Sequence, residues 1–126
     1  MSTTTDQTTT TTRPAITHPN WCDPEHCFED TSDGVLMQVS HGTDRDVWRA
    51  ADLNLNWLHR PSDATASVHL VRIDDYAGEP DEPTVAFVET DGDDPLTIDD
   101  LESLSAWLTA KAAAVREAVT TEGGAR

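Results

Sequence analysis

The sequence predicts an α+β domain: a mostly antiparallel sheet of about four strands, with one C-terminal helix packed on one face. Two observations lead there. Short runs of alternating apolar and polar residues recur through the middle of the chain, each bounded by turn-forming residues. One long stripe at helical spacing follows near the end. Setting aside a threonine-rich tail leaves roughly 105 residues, enough for one sheet and one helix around a single small core. A core of that size gains from a staple such as a metal or a disulfide.

The elements are justified in chain order. Residues 1–17 hold Thr3-Thr4-Thr5 and Thr8 to Thr12 and almost no apolar surface, so a disordered tail is expected. The domain spans 18–119, and 120–126 is a flexible end. Asp23 can cap a short helical turn that opens at Pro24. Thr31-Ser32-Asp33-Gly34 is a turn. Val35, Met37, Val39 and His41 share one face of a first strand. Thr43 to Asp46 reads as a turn, and Leu53, Leu55 and Trp57 mark a second strand. Ala66 to Ile73 is a third, apolar on both faces and hence central. An acidic loop from Asp74 to Pro83 leads to a fourth, Thr84 to Glu89. Thr97 is a good N-cap, with Asp100 three residues on. Leu101, Leu104, Leu108, Ala112, Val115 and Val119 form the stripe expected to dock on the sheet, and Gly123-Gly124 ends the helix.

Charge narrows the function classes. The formal net charge is -16, from 24 Asp+Glu against 8 Lys+Arg. Phosphates would be repelled, so direct binding to nucleic acid or to an anionic membrane is not expected. No apolar run approaches the ~20 residues that span a bilayer, and Met1 to Thr12 has no signal-peptide pattern. A cytoplasmic setting is the expectation, where a lasting disulfide is disfavoured. The acidic loops, Asp74 to Glu82 and Asp91 to Asp94, lack the spaced ligands and terminal Glu of a calcium loop and read as solvated surface.

The unusual chemistry is concentrated in His18-Pro19-Asn20-Trp21-Cys22-Asp23-Pro24-Glu25-His26-Cys27, which holds both cysteines and two of the five histidines. Zinc takes thiolate and imidazole ligands in a tetrahedron. The set read from spacing is Cys22, His26 and His41, with Cys27 or His18 as the fourth. Cys22 and His26 are four apart and can meet on one helical turn, while His41 reaches in from a strand end. Side chains of adjacent residues diverge, which weighs against His26 and Cys27 sharing an ion. The alternatives are buried packing residues beside solvated histidines, or a Cys22–Cys27 disulfide. A Cys–His nucleophile would need an orienting group and an oxyanion hole, and no signature for these stands out.

The run Pro19-Asn20-Trp21-Cys22-Asp23-Pro24-Glu25-His26 resembles the start of small uncharacterised domains common in actinobacteria and their phages. Their pattern is Pro-x-Trp-Cys-x3-His, a further histidine at the first strands, a sheet, and a closing helix that opens with Leu-Thr, here Leu96-Thr97. The resemblance covers roughly 18–119. It implies the same fold, matches Trp21, Cys22 and His26, and offers His41 as the downstream histidine; Cys27 is extra to the pattern. It implies no activity. The functional expectation is a small acidic accessory or binding protein with a structural zinc clasp and an unknown protein partner. The alternative is a metal-free acidic protein that binds a basic partner or imitates DNA. No enzyme activity is expected.

Overall fold

The structure, a computed structural model, describes residues 15–122. Most of the predicted Thr-rich tail and the Gly123-Gly124 stop lie outside those residues. Within them the fold is α+β: a five-stranded antiparallel sheet and one C-terminal helix. A 3-10 turn, Pro24–His26, precedes β1 (Phe28–Ser32), β2 (Val35–Gly42), β3 (Asp46–Arg49), β4 (Thr65–Asp75), β5 (Val85–Asp91) and α1 (Ile98–Thr121).

β1 and β2 form a hairpin whose turn residues, Asp33 and Gly34, have φ of 53° and 79°. Asp-Gly is the pair that adopts two successive positive φ values at least cost, and such turns match the twist of the strands. The turn was visible in sequence; β1 was not, because Phe-Glu-Asp-Thr-Ser is exposed throughout and carries no apolar alternation.

β4 organises the sheet. Residues 65–68 pair with β3 on one side and β5 on the other, and Val71 pairs with both Gly42 and Val85. β2 and β3 therefore share one edge of β4, with the Thr43–Arg45 step between them. Thr43 bridges the step: its N–H donates to the Leu70 carbonyl at 3.1 Å, and its hydroxyl accepts from the Leu70 N–H at 2.9 Å.

The expected second strand at Leu53 to Leu58 does not form; only an isolated bridge, Leu55 to Pro61, is present there. β3 takes that place in the sheet and ends at Arg49, before the expected strand begins. The loop is turned over relative to expectation. Leu53 is 93% and Trp57 74% exposed, whereas Asn56 is buried. The asparagines hold the loop: Asn54 Nδ2 donates to Asp100 Oδ1 at 2.8 Å and Asn56 Nδ2 to the Pro95 carbonyl at 3.2 Å. Polar alternation, not apolar, faces inward here.

α1 begins as predicted, with Thr97 Oγ1 accepting the Asp100 N–H at 3.1 Å. Its inward stripe is shifted. Leu104 and Trp107 pack on Trp48, Ala50 and Ala66, and Trp48 Nε1 donates to Ser103 Oγ at 3.1 Å. Leu101, Leu108 and Val119 of the expected stripe are exposed. Asp100 is fully buried and accepts from the Ala51 N–H at 3.1 Å as well as from Asn54. Replacing Asp100 with Ala removes the buried acceptor of those part-buried donors, so Asp100→Ala is expected to cost about 1–3 kcal/mol, whereas Leu101→Ala costs under about 1 kcal/mol because little burial is lost. Urea unfolding of both variants measures the order; equal losses would contradict this docking.

Candidate metal centre

The N-terminal stretch folds back on the end of β2. The Cys22 N–H donates to the Pro19 carbonyl at 3.0 Å, closing a turn that brings His18 beside Cys22. The Asp23 N–H donates to the Gly42 carbonyl at 2.9 Å and joins the stretch to the sheet. Asp23 is an extended N-cap whose side chain accepts from the Glu25 N–H, as its sequence position predicted, and Pro24 opens the 3-10 turn.

These constraints gather His18, Cys22, Cys27 and His41, with one ligand atom from each lying within 4.8 Å of all the others. His18 Nδ1 is 3.9 Å from Cys22 Sγ and 3.6 Å from Cys27 Sγ. His41 Nδ1 is 3.4 Å from Cys22 Sγ and 3.7 Å from Cys27 Sγ. The two imidazoles meet edge to face, with centroids 5.1 Å apart. Both thiols are free. The four residues could bind a metal ion.

Cys22 and His41 of the set read from spacing are in this group, with both residues offered as its fourth member, Cys27 and His18; His26 is outside it. His26 Nε2 instead lies 3.6 Å from Asp44 Oδ1 at the surface. The i, i+4 argument for Cys22 and His26 assumes α-helical geometry across both residues. Here Asp23 is extended, with φ -97° and ψ 123°, and the turn after it is 3-10, so the two side chains diverge. Cys27 follows the turn in extended conformation and returns to the site, which separates it from its neighbour His26. The chain reversal at Pro19 was the signal for His18: His18 and Cys22 are also four apart, and a turn rather than a helix makes them neighbours.

His41 is the buried member, with no solvent exposure. Its Nε2 lies 3.0 Å from Asp74 Oδ2. A carboxylate only accepts, so Nε2 carries the proton and Nδ1 presents its lone pair to the two sulfurs. This is the carboxylate–histidine pairing that orients metal-ligating imidazoles. Burial lowers the His41 pKa from its ordinary 6.5, and the Asp74 carboxylate only partly offsets that effect. The imidazole is held neutral, the form that ligates. Burial, then the hydrogen bond and charge of Cys22, push the Cys27 thiol up to about 11. Without a cation, two thiolates this close repel each other; a cation between them reverses that penalty.

A polar chain runs outward from Asp74. Arg72 Nη2 donates to Asp74 Oδ2 at 2.8 Å, and Arg72 Nη1 lies 3.6 Å from Glu122 Oε1. Glu122 caps α1 and accepts from Trp21 Nε1 and from Thr84 Oγ1, each at 2.9 Å. Asn20 Nδ2 donates to the Thr121 carbonyl at 3.2 Å. Trp21 thus ties the stretch to the end of the helix.

Gly42 has no room for a side chain: a Cβ there would sit 2.8 Å from the His26 carbonyl oxygen. That oxygen belongs to backbone and cannot swing away. Gly42→Ala is expected to push the turn off the sheet and destabilise the protein by about 1–3 kcal/mol, with exchange protection lost first at Asp23 and His26. Urea titration with amide exchange checks this; wild-type stability in the variant would refute the close approach.

Comparison of the chain with protein-family models, with curated proteins and with solved structures finds no match.

Proposed function

We propose that the chain is a small zinc protein in which His18, Cys22, Cys27 and His41 hold one structural Zn2+, and that it acts as an accessory or binding protein rather than an enzyme. The observation that carries this is the sulfur–nitrogen spacing. Zinc bonds of about 2.3 Å to sulfur and about 2.0–2.1 Å to nitrogen give a tetrahedron a sulfur–nitrogen edge of roughly 3.6 Å. The four such distances here run from 3.4 to 3.9 Å. Soft thiolates with imidazoles favour zinc over magnesium or calcium. Four protein ligands fill a tetrahedron and leave no position for water or substrate, the mark of a structural site. Kinship with the small domains that the Trp-Cys-x3-His start resembles belongs to the same proposal and adds no activity.

A structural role also fits the size of the core. Among the described residues only seven hydrophobic side chains are buried, among them Leu36, Val39, Trp48 and Leu70. Structural zinc sites contribute about 10–16 kcal/mol of apparent binding free energy. That is comparable to the ~5–15 kcal/mol that holds an ordinary domain together.

The test is metal analysis of tag-free protein. One zinc per chain is expected, and cobalt in its place should show tetrahedral ligand-field bands and thiolate charge transfer. Cys22→Ser and His41→Ala should lose the metal and lower Tm by at least about 10 °C; His26→Ala should keep both metal and Tm. A wild type without stoichiometric metal, and unchanged melting in Cys22→Ser and His41→Ala, would overturn the reading.

Asp74 offers a separate check. Asp74→Ala leaves all four ligands in place but removes the acceptor that orients His41. Zinc affinity, measured by competition with a chelator, is expected to fall about 10–100-fold.

A further inference from the structure

The helix carries more apolar surface than the sheet covers. By register, Ala66, Val68, Leu70, Ala86, Val88 and Trp48 share the sheet face beneath α1. The helix packs on that face through Leu104 and Trp107, and Val115 and Ala118 further along it are half-buried. A second stripe, Leu101, Leu108, Ala112 and Val119, remains exposed. Three of these, Leu108, Ala112 and Val119, overhang a groove of about 620 Å³ whose floor includes Ala86 and Val88 of β5.

β5 is also the edge of the sheet on that side. Among the described residues it pairs with β4 alone, so its outer N–H and C=O groups have no ladder partner. All seven of its residues are exposed. Val85 and Phe87 lie on one face and Ala86 and Val88 on the other. It has no lysine, proline or bulge, the usual devices that block pairing at an edge. The helix therefore extends over a place where the sheet is one strand short.

We propose that the outer edge of β5 receives an extended segment of a partner protein, which adds as a further strand and lays alternate apolar side chains into the groove under α1. Backbone pairing supplies affinity in this mode and the alternating pockets supply selectivity. Charge specifies the rest of the segment. Glu79, Asp81 and Glu82 precede β5, and Asp91 and Asp93 lie at its far end, beyond Glu89, which pairs with Arg45 at 3.2 Å. Lysine or arginine at both ends of the segment complements them. Lys111, already paired with Asp46, and Arg116 line the groove itself, so the middle of the segment is uncharged. A second copy is disfavoured because it brings another net charge of -16. The sequence of residues 1–14, whose apolar side chains are Met1 and Pro14, lacks the alternating apolar pattern that this mode reads.

The probe is a labelled synthetic peptide, Lys-Lys-Val-Thr-Val-Thr-Val-Lys-Lys, titrated with the full chain and followed by fluorescence anisotropy. Saturable binding is expected, weakened at least about tenfold when alternate backbone nitrogens are methylated or when Glu replaces Lys. Val88→Asn and Leu108→Gln, both at exposed positions, should each weaken it about fivefold while Tm stays at the wild-type value. No binding, or equal binding of the methylated peptide, would overturn the proposal. So would a concentration-dependent dimer in sedimentation that Val88→Asn abolishes, since that assigns the edge to a second copy.

Discussion

The fold depends on one buried imidazole. His41 sits at the end of β2, fully enclosed, with a carboxylate on one nitrogen and two sulfurs on the other. A neutral ring in that place has both nitrogens engaged, so its desolvation is offset on each side. Through Nδ1 it faces the N-terminal stretch; through Asp74 it touches β4; through Arg72 and Glu122 the same network reaches the end of α1. Three parts of the chain that share little apolar contact are thus joined by polar geometry. The Asp74–Arg72 pair is itself nearly solvent-free. A buried pair of this kind specifies an arrangement more than it stabilises one, because desolvation cancels much of the attraction.

Polar anchoring explains how α1 stays in place with part of its apolar surface in water. Its first turn is held by Asp100, which accepts from the Ala51 backbone and from Asn54. Its last residues are held by Asn20, Trp21 and Thr84. Between them a small cluster of Trp48, Ala50 and Ala66 is covered by Ala64, Leu96, Leu104 and Trp107. Hydrogen bonds at both ends set the rotation of the helix, and that rotation selects which apolar stripe faces the sheet.

Much of this was legible in sequence, and the misses have a common cause. Period-2 patterns found β2, β4 and β5, and capping chemistry found the start of α1, because burial and caps leave local marks. β1 is a polar edge strand held by its hairpin turn, and it leaves none. Leu53, Leu55 and Trp57 alternate like a strand, but Asn54 and Asn56 find partners in Asp100 and the Pro95 carbonyl. The side bearing those asparagines then turns inward. The helix stripe went astray for the same reason: Asp100 belongs to the inward face, and a carboxylate is not counted by a hydrophobic pattern. At the site, the structure gathers Cys22, Cys27 and His41 with His18 and leaves His26 outside. Spacing of four fits both His18–Cys22 and Cys22–His26, and only the backbone path decides between them.

That path is dictated by prolines. Pro19 lies one residue after His18 and its carbonyl accepts from Cys22, while Pro24 starts the 3-10 turn directly after the extended Asp23. A 3-10 turn completes a revolution in about three residues, so Cys27, three beyond Pro24, comes back toward the sheet while His26 points to Asp44. An α-helical turn in the same place would present Cys22 and His26 together and carry Cys27 away. The membership of the cluster is therefore set by the fixed φ of the prolines and the close approach of Gly42 to the His26 carbonyl. Residues outside the cluster thus decide which four side chains meet in it.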